Sequence, residues 1–200
     1  MTPFDSLPAT LQGWQNFYLL AGTAAATLTG LMFVAVTFGS SLVTKETAQS
    51  ARAFLDPTYA HFVQVLLTAC LLTIPTLGPT LLGWLLVGIG TLRLIRLYWV
   101  FGHFMAAHRR QGDIELSDWM MSIVLPALCH LLLMTTGAGF ILRHAAAFSG
   151  LALVTVALLF IGIQGAWELL VWMALAVSER RRDPPTPAPP VTRAPPDRTE

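Results

Sequence analysis

Four long stretches of this chain carry no charge, and they limit what it can fold into. No Asp, Glu, Lys or Arg lies between Asp5 and Lys45, between Asp56 and Arg93, between Asp118 and Arg143, or between Arg143 and Glu168. About 20 consecutive apolar residues suffice to cross the hydrocarbon core of a bilayer. Charged residues make up 12% of the 200-residue chain, about half the roughly 25% of soluble domains. A soluble domain with so few charges would lack the polar surface that keeps it dissolved. The pattern predicts an all-α integral membrane protein. The net charge of +1 provides no electrostatic footprint for nucleic acid, and no such partner is expected.

The punctuation between the apolar runs predicts a five-transmembrane-helix bundle, with spans at about 14–39, 57–76, 80–103, 117–142 and 147–177. Residues 1–13 form an interfacial lead-in without Lys or Arg, so no positively charged signal-peptide region is expected. Trp14, Phe17 and Tyr18 are the aromatic types that favour the membrane interface. Asp56-Pro57 suits a helix start, with Asp as N-cap and Pro in the first turn. The run Pro75-Thr76-Leu77-Gly78-Pro79 ends one helix and begins the next. Ser117 and Asp118 cap the fourth span, Pro126 kinks it, and Arg143-His144 mark the next short loop. Residues 179–200 hold Arg180, Arg181, Arg182 and seven prolines, a composition expected to be disordered with polyproline II character. Such a tail suits an aromatic-lined groove on a cytosolic partner, although a solvated tail is the simpler reading.

Orientation follows from Lys and Arg in short loops. With the N-terminus out and the C-terminus in, the inner side collects Lys45, Arg52, Arg109, Arg110 and the five arginines of the tail, and the outer side only Arg143. Eleven of the twelve basic residues are arginine, and Ala, Leu and Pro are abundant. That composition suggests a GC-rich bacterial genome and hence the inner membrane. Cys70 and Cys129 both fall in apolar runs, where a thiol behaves as a small hydrophobe.

Two groups of residues stand out. The first is Gly22, Thr23, Ala26, Thr27 and Gly30 in span one. Small residues four apart let helices approach closely in lipid. The face is expected to pack against another helix, within the chain or in a homo-oligomer, with a pore-lining stripe as the functional alternative. The second is a set of polar groups at membrane depth: His61, Gln64, Arg93, Arg96, Gln164 and Glu168. Ionisable residues inside spans are costly and point to function by default. Glu168 is the one acid well inside a span, and an ion pair with Arg93 or Arg96 would neutralise it through paired hydrogen bonds. The structural alternative is that this pair sets helix register, or that Arg96 reaches the headgroups alone. His130, beside Cys129, reads as a buried hydrogen-bonding group.

No cofactor or metal is expected. Cys129 and His130 point about 100° apart on a helix, His103 and His108 are five apart, and no HExxH, Walker loop, GxSxG or CxxC occurs. The leading functional expectation is a small oligomeric channel or permeation protein with its polar cluster in the cytoplasmic half of the membrane. The alternative is a non-enzymatic accessory protein that binds a partner through its helices or Pro-rich tail. An intramembrane enzyme would have to use Glu168 with His61 or His130, and is not the expectation.

Overall fold

A computed structural model describes residues 7–39, 48–74, 76–108 and 123–182, and those residues form five α-helices and no strand. They are α1 (Leu7–Gly39), α2 (Ala48–Thr73), α3 (Pro79–His108), α4 (Leu125–Ile141) and α5 (Ala146–Arg182). Three contain segments long and apolar enough to cross a membrane: Gly13–Phe38, Pro79–Trp99 and Ala146–Leu175. The apolar parts of α2 and α4, Pro57–Thr73 and Leu125–Ile141, are shorter. Large apolar side chains are exposed on every helix, among them Leu20, Phe38, Leu67, Trp84, Leu128 and Trp167. Water would not tolerate so continuous an apolar exterior, whereas lipid is the matching solvent.

The helices alternate in direction. Gly22 of α1 meets Ala69 of α2, and Phe33 meets Tyr59. Phe62 and Thr58 of α2 meet Gly162 and Gly165 of α5, Gly83 of α3 meets Gly137 of α4, and Thr136 of α4 meets Gly150 of α5. In each pair one number rises as the other falls. The α2–α3 and α4–α5 turns therefore lie at one end of the bundle, called here the turn end. Helix α5 packs on α4, α2 and α1, while α3 packs chiefly on α4. In lipid the attraction between such helices is close van der Waals contact rather than escape from water. Glycine supplies that contact: a Cβ on Gly83 would stand 2.5 Å from the Gly137 carbonyl oxygen, and one on Gly162 would stand 2.5 Å from the Phe62 ring. The buried threonine hydroxyls of Thr68 and Thr155 donate on their own helices, to the Gln64 carbonyl (2.9 Å) and the Leu151 carbonyl (2.8 Å), while the buried Tyr18 hydroxyl of α1 donates to the Phe148 carbonyl of α5 (3.4 Å).

Several local expectations change. Helix α2 begins at Ala48 and runs through Pro57, rather than starting at Asp56-Pro57. The segment before Pro57 is rich in Ala, Gln, Arg and Leu, good helix formers that tolerate one missing N–H. Pro126 lies in the first turn of α4, next to a turn of wider helix at 123–124; residues 117–122, on the other side of the expected kink, lie outside the described residues. The Ser117-Asp118 cap and the tail from 183 onwards lie outside the described residues.

Arg143, in the α4–α5 turn, has φ 58°. Its N–H donates to the Phe140 carbonyl (3.2 Å), and the His144 N–H to the Gly139 carbonyl (2.8 Å), closing the end of α4. A side chain in this left-handed conformation costs roughly 1–2 kcal/mol. Part of any relief is offset by glycine's larger unfolded-state entropy. Arg143→Gly is therefore expected to stabilise the protein by about 0.5–1 kcal/mol, read as a higher midpoint in detergent unfolding. A lower midpoint would show that the Arg143 side chain contributes more than its backbone costs.

Candidate functional site

The polar residues that meet inside the bundle do so because glycine brings α3 onto α4. A Cβ on Gly90 would stand 3.1 Å from the His130 carbonyl oxygen and 2.6 Å from Met134 Cγ, so no larger residue fits there without moving α4. Arg93 lies three residues beyond Gly90, on the same face of α3. It thus follows Gly90 towards the neighbouring helices. On α2, Thr58, Phe62 and Val65 are buried, with Phe62 against Gly162 of α5. His61 and Gln64, three apart, share the adjoining face.

Four side chains from three helices converge there. The Arg93 Nη2 group donates to the Ala60 carbonyl oxygen of α2 at 2.9 Å. The amide of Gln64 lies against the imidazole of His130, with Oε1 3.1 Å from Nε2. The other ring nitrogen of His130, Nδ1, bonds the carbonyl oxygen of Pro126 one turn back on α4. The rings of His61 and His130 are 6.4 Å apart between centroids and inclined by 29°. Relative exposures are 8% for His61, 1% for Gln64 and 4% for His130, while Arg93 is half-buried. Two buried polar atoms have no hydrogen-bond partner in the protein: His61 Nδ1 and Gln64 Nε2. An unsatisfied buried polar atom costs about 1–3 kcal/mol. A cluster that only set helix register would not be expected to leave two.

Comparison with known protein families, characterised proteins and solved structures finds no match for this chain.

Of the polar residues singled out from sequence, the structure brings together His61, Gln64 and Arg93. It does not form the Glu168–Arg93 pair. Glu168 and Arg96 are exposed, and Gln164 is half-buried on α5. Axial depth explains the difference. At 1.5 Å per residue, Gln64, His130, His61 and Arg93 lie about 14–21 Å from the turn end of their helices, and Glu168 about 33 Å. A carboxylate that deep along α5 has passed the level of the arginine. His130 is the member that sequence reasoning left out of the cluster. Its signal was a histidine in the middle of an apolar run, at the depth of His61.

The small-residue face of α1 divides. Gly22 is buried against Ala69, where a Cβ would stand 2.8 Å from the alanine's own Cβ. Thr23, Ala26, Thr27 and Gly30 are exposed. The Thr23 and Thr27 hydroxyls donate to the carbonyls of Leu19 (2.7 Å) and Thr23 (2.9 Å) on their own helix. Among the described residues no group of three or more His, Cys, Asp or Glu side chains is arranged to hold a metal ion. Cys70 and Cys129 are both free thiols.

Proposed function

We propose that this chain is a five-span protein of a bacterial inner membrane, N-terminus out and C-terminus in. It passes a small polar solute along the polar cluster between α2, α3 and α4, and works as a homo-oligomer without catalysing a reaction. The observation that carries the reading is the His61, Gln64, Arg93 and His130 cluster, buried at mid-depth with two polar atoms unused by the protein. Hydrogen-bonding groups at that depth are costly in hydrocarbon and are retained where a solute or proton must be met. The strict alternation of helix direction supports five passes, and the distribution of Lys and Arg supports the orientation. The pathway runs within each protomer rather than along α1, because the hydroxyls of Thr23 and Thr27 are engaged by their own backbone. The exposed face carrying Ala26 and Gly30 is left for lipid or for a second copy.

The test is flux of K⁺, Cl⁻ and H⁺ in proteoliposomes holding the full chain. Orientation is set by labelling Arg143→Cys with a membrane-impermeant maleimide, expected to react from the outer side alone. Wild-type flux should fall at least about tenfold in Gln64→Leu, because one transition-state hydrogen bond is worth 1.4 kcal/mol or more. Silence from folded, oriented wild-type protein would overturn the reading and favour an accessory protein whose partner engages its helices or tail.

A further inference from the structure

The hydrogen bonds of His130 point to the chemistry of the solute. A backbone carbonyl only accepts, so the nitrogen facing the Pro126 oxygen, Nδ1, must carry a hydrogen. The other nitrogen, Nε2, faces Gln64 Oε1 at 3.1 Å, which is also an acceptor. An imidazole with an acceptor on each nitrogen donates twice and is therefore an imidazolium. The Gln64 amide has the same outline when turned over. Turned, its NH2 would donate to Nε2 of a neutral ring. The cluster thus has two self-consistent states. In one, His130 is neutral and Gln64 Nε2 is spent on it. In the other, His130 is protonated, Gln64 Oε1 accepts from it, and Gln64 Nε2 is left as a buried donor without a partner, the orientation of the amide in this structure.

The protonated state is rich in donors. The Arg93 guanidinium carries a fixed charge and uses one nitrogen on the Ala60 carbonyl. His61 Nδ1 and Gln64 Nε2 are unpartnered and more than nine-tenths buried. Among the described side chains, no carboxylate joins the cluster, since Glu168 is exposed. Two cations in a low-dielectric interior require a counter-charge. From the elements packed around His130, the described ionisable groups are His61, Tyr59 and Cys70 of α2, Arg93, Arg96 and Tyr98 of α3, and Cys129 of α4 itself, with Tyr59, Cys70, Arg96 and Tyr98 exposed. Helix α5 brings none to the cluster among its described side chains. Asp56 belongs to α2, with a side chain outside the described set.

We infer that the polar cluster between α2, α3 and α4 is an anion site that loads together with a proton on His130. The anion is held by Arg93, Gln64 Nε2 and His61 Nδ1. The proton enters on Nε2 of His130, and the amide of Gln64 turns over to expose its NH2. The inference rests on the permeation reading for its place in function, and gives it a substrate class: a small anion such as a halide, carboxylate or phosphate, or the same chemistry on a lipid headgroup.

The test is binding by the full chain in neutral detergent, read by thermal unfolding and by proton uptake from weak buffer, with sodium chloride, acetate and phosphate as probes. Uptake of one proton per anion is expected. The apparent dissociation constant should rise by up to about tenfold per pH unit on the alkaline side, as reciprocal linkage of one proton to one anion requires. In His130→Gln, which keeps an amide in place of the ring, affinity should become flat with pH and proton uptake should vanish. In Arg93→Gln, binding should weaken at least tenfold. If a variant fails to fold, the pH slope and proton count of the wild type decide alone. Stabilisation by micelles containing phosphatidylglycerol, with none by the free anions, would assign the anion to a lipid headgroup. Absence of pH-linked binding with every probe would overturn the inference. Flux of a cation under those conditions would leave the permeation reading standing, whereas anion binding without any flux would overturn that reading and keep the site.

Discussion

Gly137→Leu is expected to separate α3 from α4 and to lower the unfolding midpoint in detergent sharply. A Cβ at this position would already stand 2.8 Å from the Gly83 carbonyl oxygen and 3.0 Å from the Val87 amide nitrogen. Both are backbone atoms and cannot swing aside, so the helices themselves must part. Inserting side-chain volume into a packed contact costs typically about 1–3 kcal/mol, and more where the neighbour is rigid. In lipid no hydrophobic term restores the loss, since side chains freed from the contact meet acyl chains of similar character. The contact also lies on the path from Gly83 to Gly90 that sets His130 beside Arg93. The variant should therefore lose both stability and flux. Gly88→Leu is the control, because a Cβ there meets nothing within 4 Å, and it should unfold like the wild type. Equal midpoints for Gly137→Leu and Gly88→Leu would refute the account of the α3–α4 contact.

The second large effect is a reversal between single and double replacements at Gln64 and His130. Gln64→Leu leaves the His130 imidazole without its partner, and His130→Leu leaves the buried Gln64 amide without its own. Each orphaned group costs about 1–3 kcal/mol. The double variant Gln64→Leu with His130→Leu removes both groups and replaces them with apolar side chains of comparable size. It should be more stable than either single variant, and the coupling energy should be about 1–3 kcal/mol. Flux should be lost in all three. Chemical denaturation of the four proteins closes the cycle. Additive destabilisation would mean that the two side chains do not depend on each other, and a double variant with normal flux would separate the cluster from transport altogether.

Stability and flux together distinguish a polar cluster kept for packing from one kept for function. A structural cluster would weaken folding when removed as a pair. A functional one would be dispensable for folding and indispensable for flux, which matches the cost of burying polar groups in hydrocarbon.

How much was legible beforehand varies by residue. The charge-free runs alone required helices, because only a helix satisfies its own backbone groups in lipid, and each of the five described helices overlaps one of those runs. The helix-breaking residues around Gly78 and Arg143 placed the turns. The small-residue face of α1 divides for a geometric reason. Residues four apart drift by about 40° per step on a 3.6-residue helix, so Gly30 rotates away from the contact that Gly22 makes. The buried residues Tyr18, Ala25 and Met32 are seven apart and stay on one face.

The residue types, their spacing and the positions of charge were enough to determine that this protein is built of apolar helices and that His61, Gln64 and Arg93 belong to its interior. Only the tertiary structure decided which polar groups meet. Whether an arginine on one helix faces a glutamate or a carbonyl depends on the rotation and axial offset of a different helix, set here by glycines such as Gly83, Gly90, Gly137 and Gly162 that allow near backbone contact. Those contacts drew His130 into the cluster and left Glu168 outside it. Pairing in a bundle is a property of two helices at once, and a single sequence states the periodicity of each helix but not the offset between them.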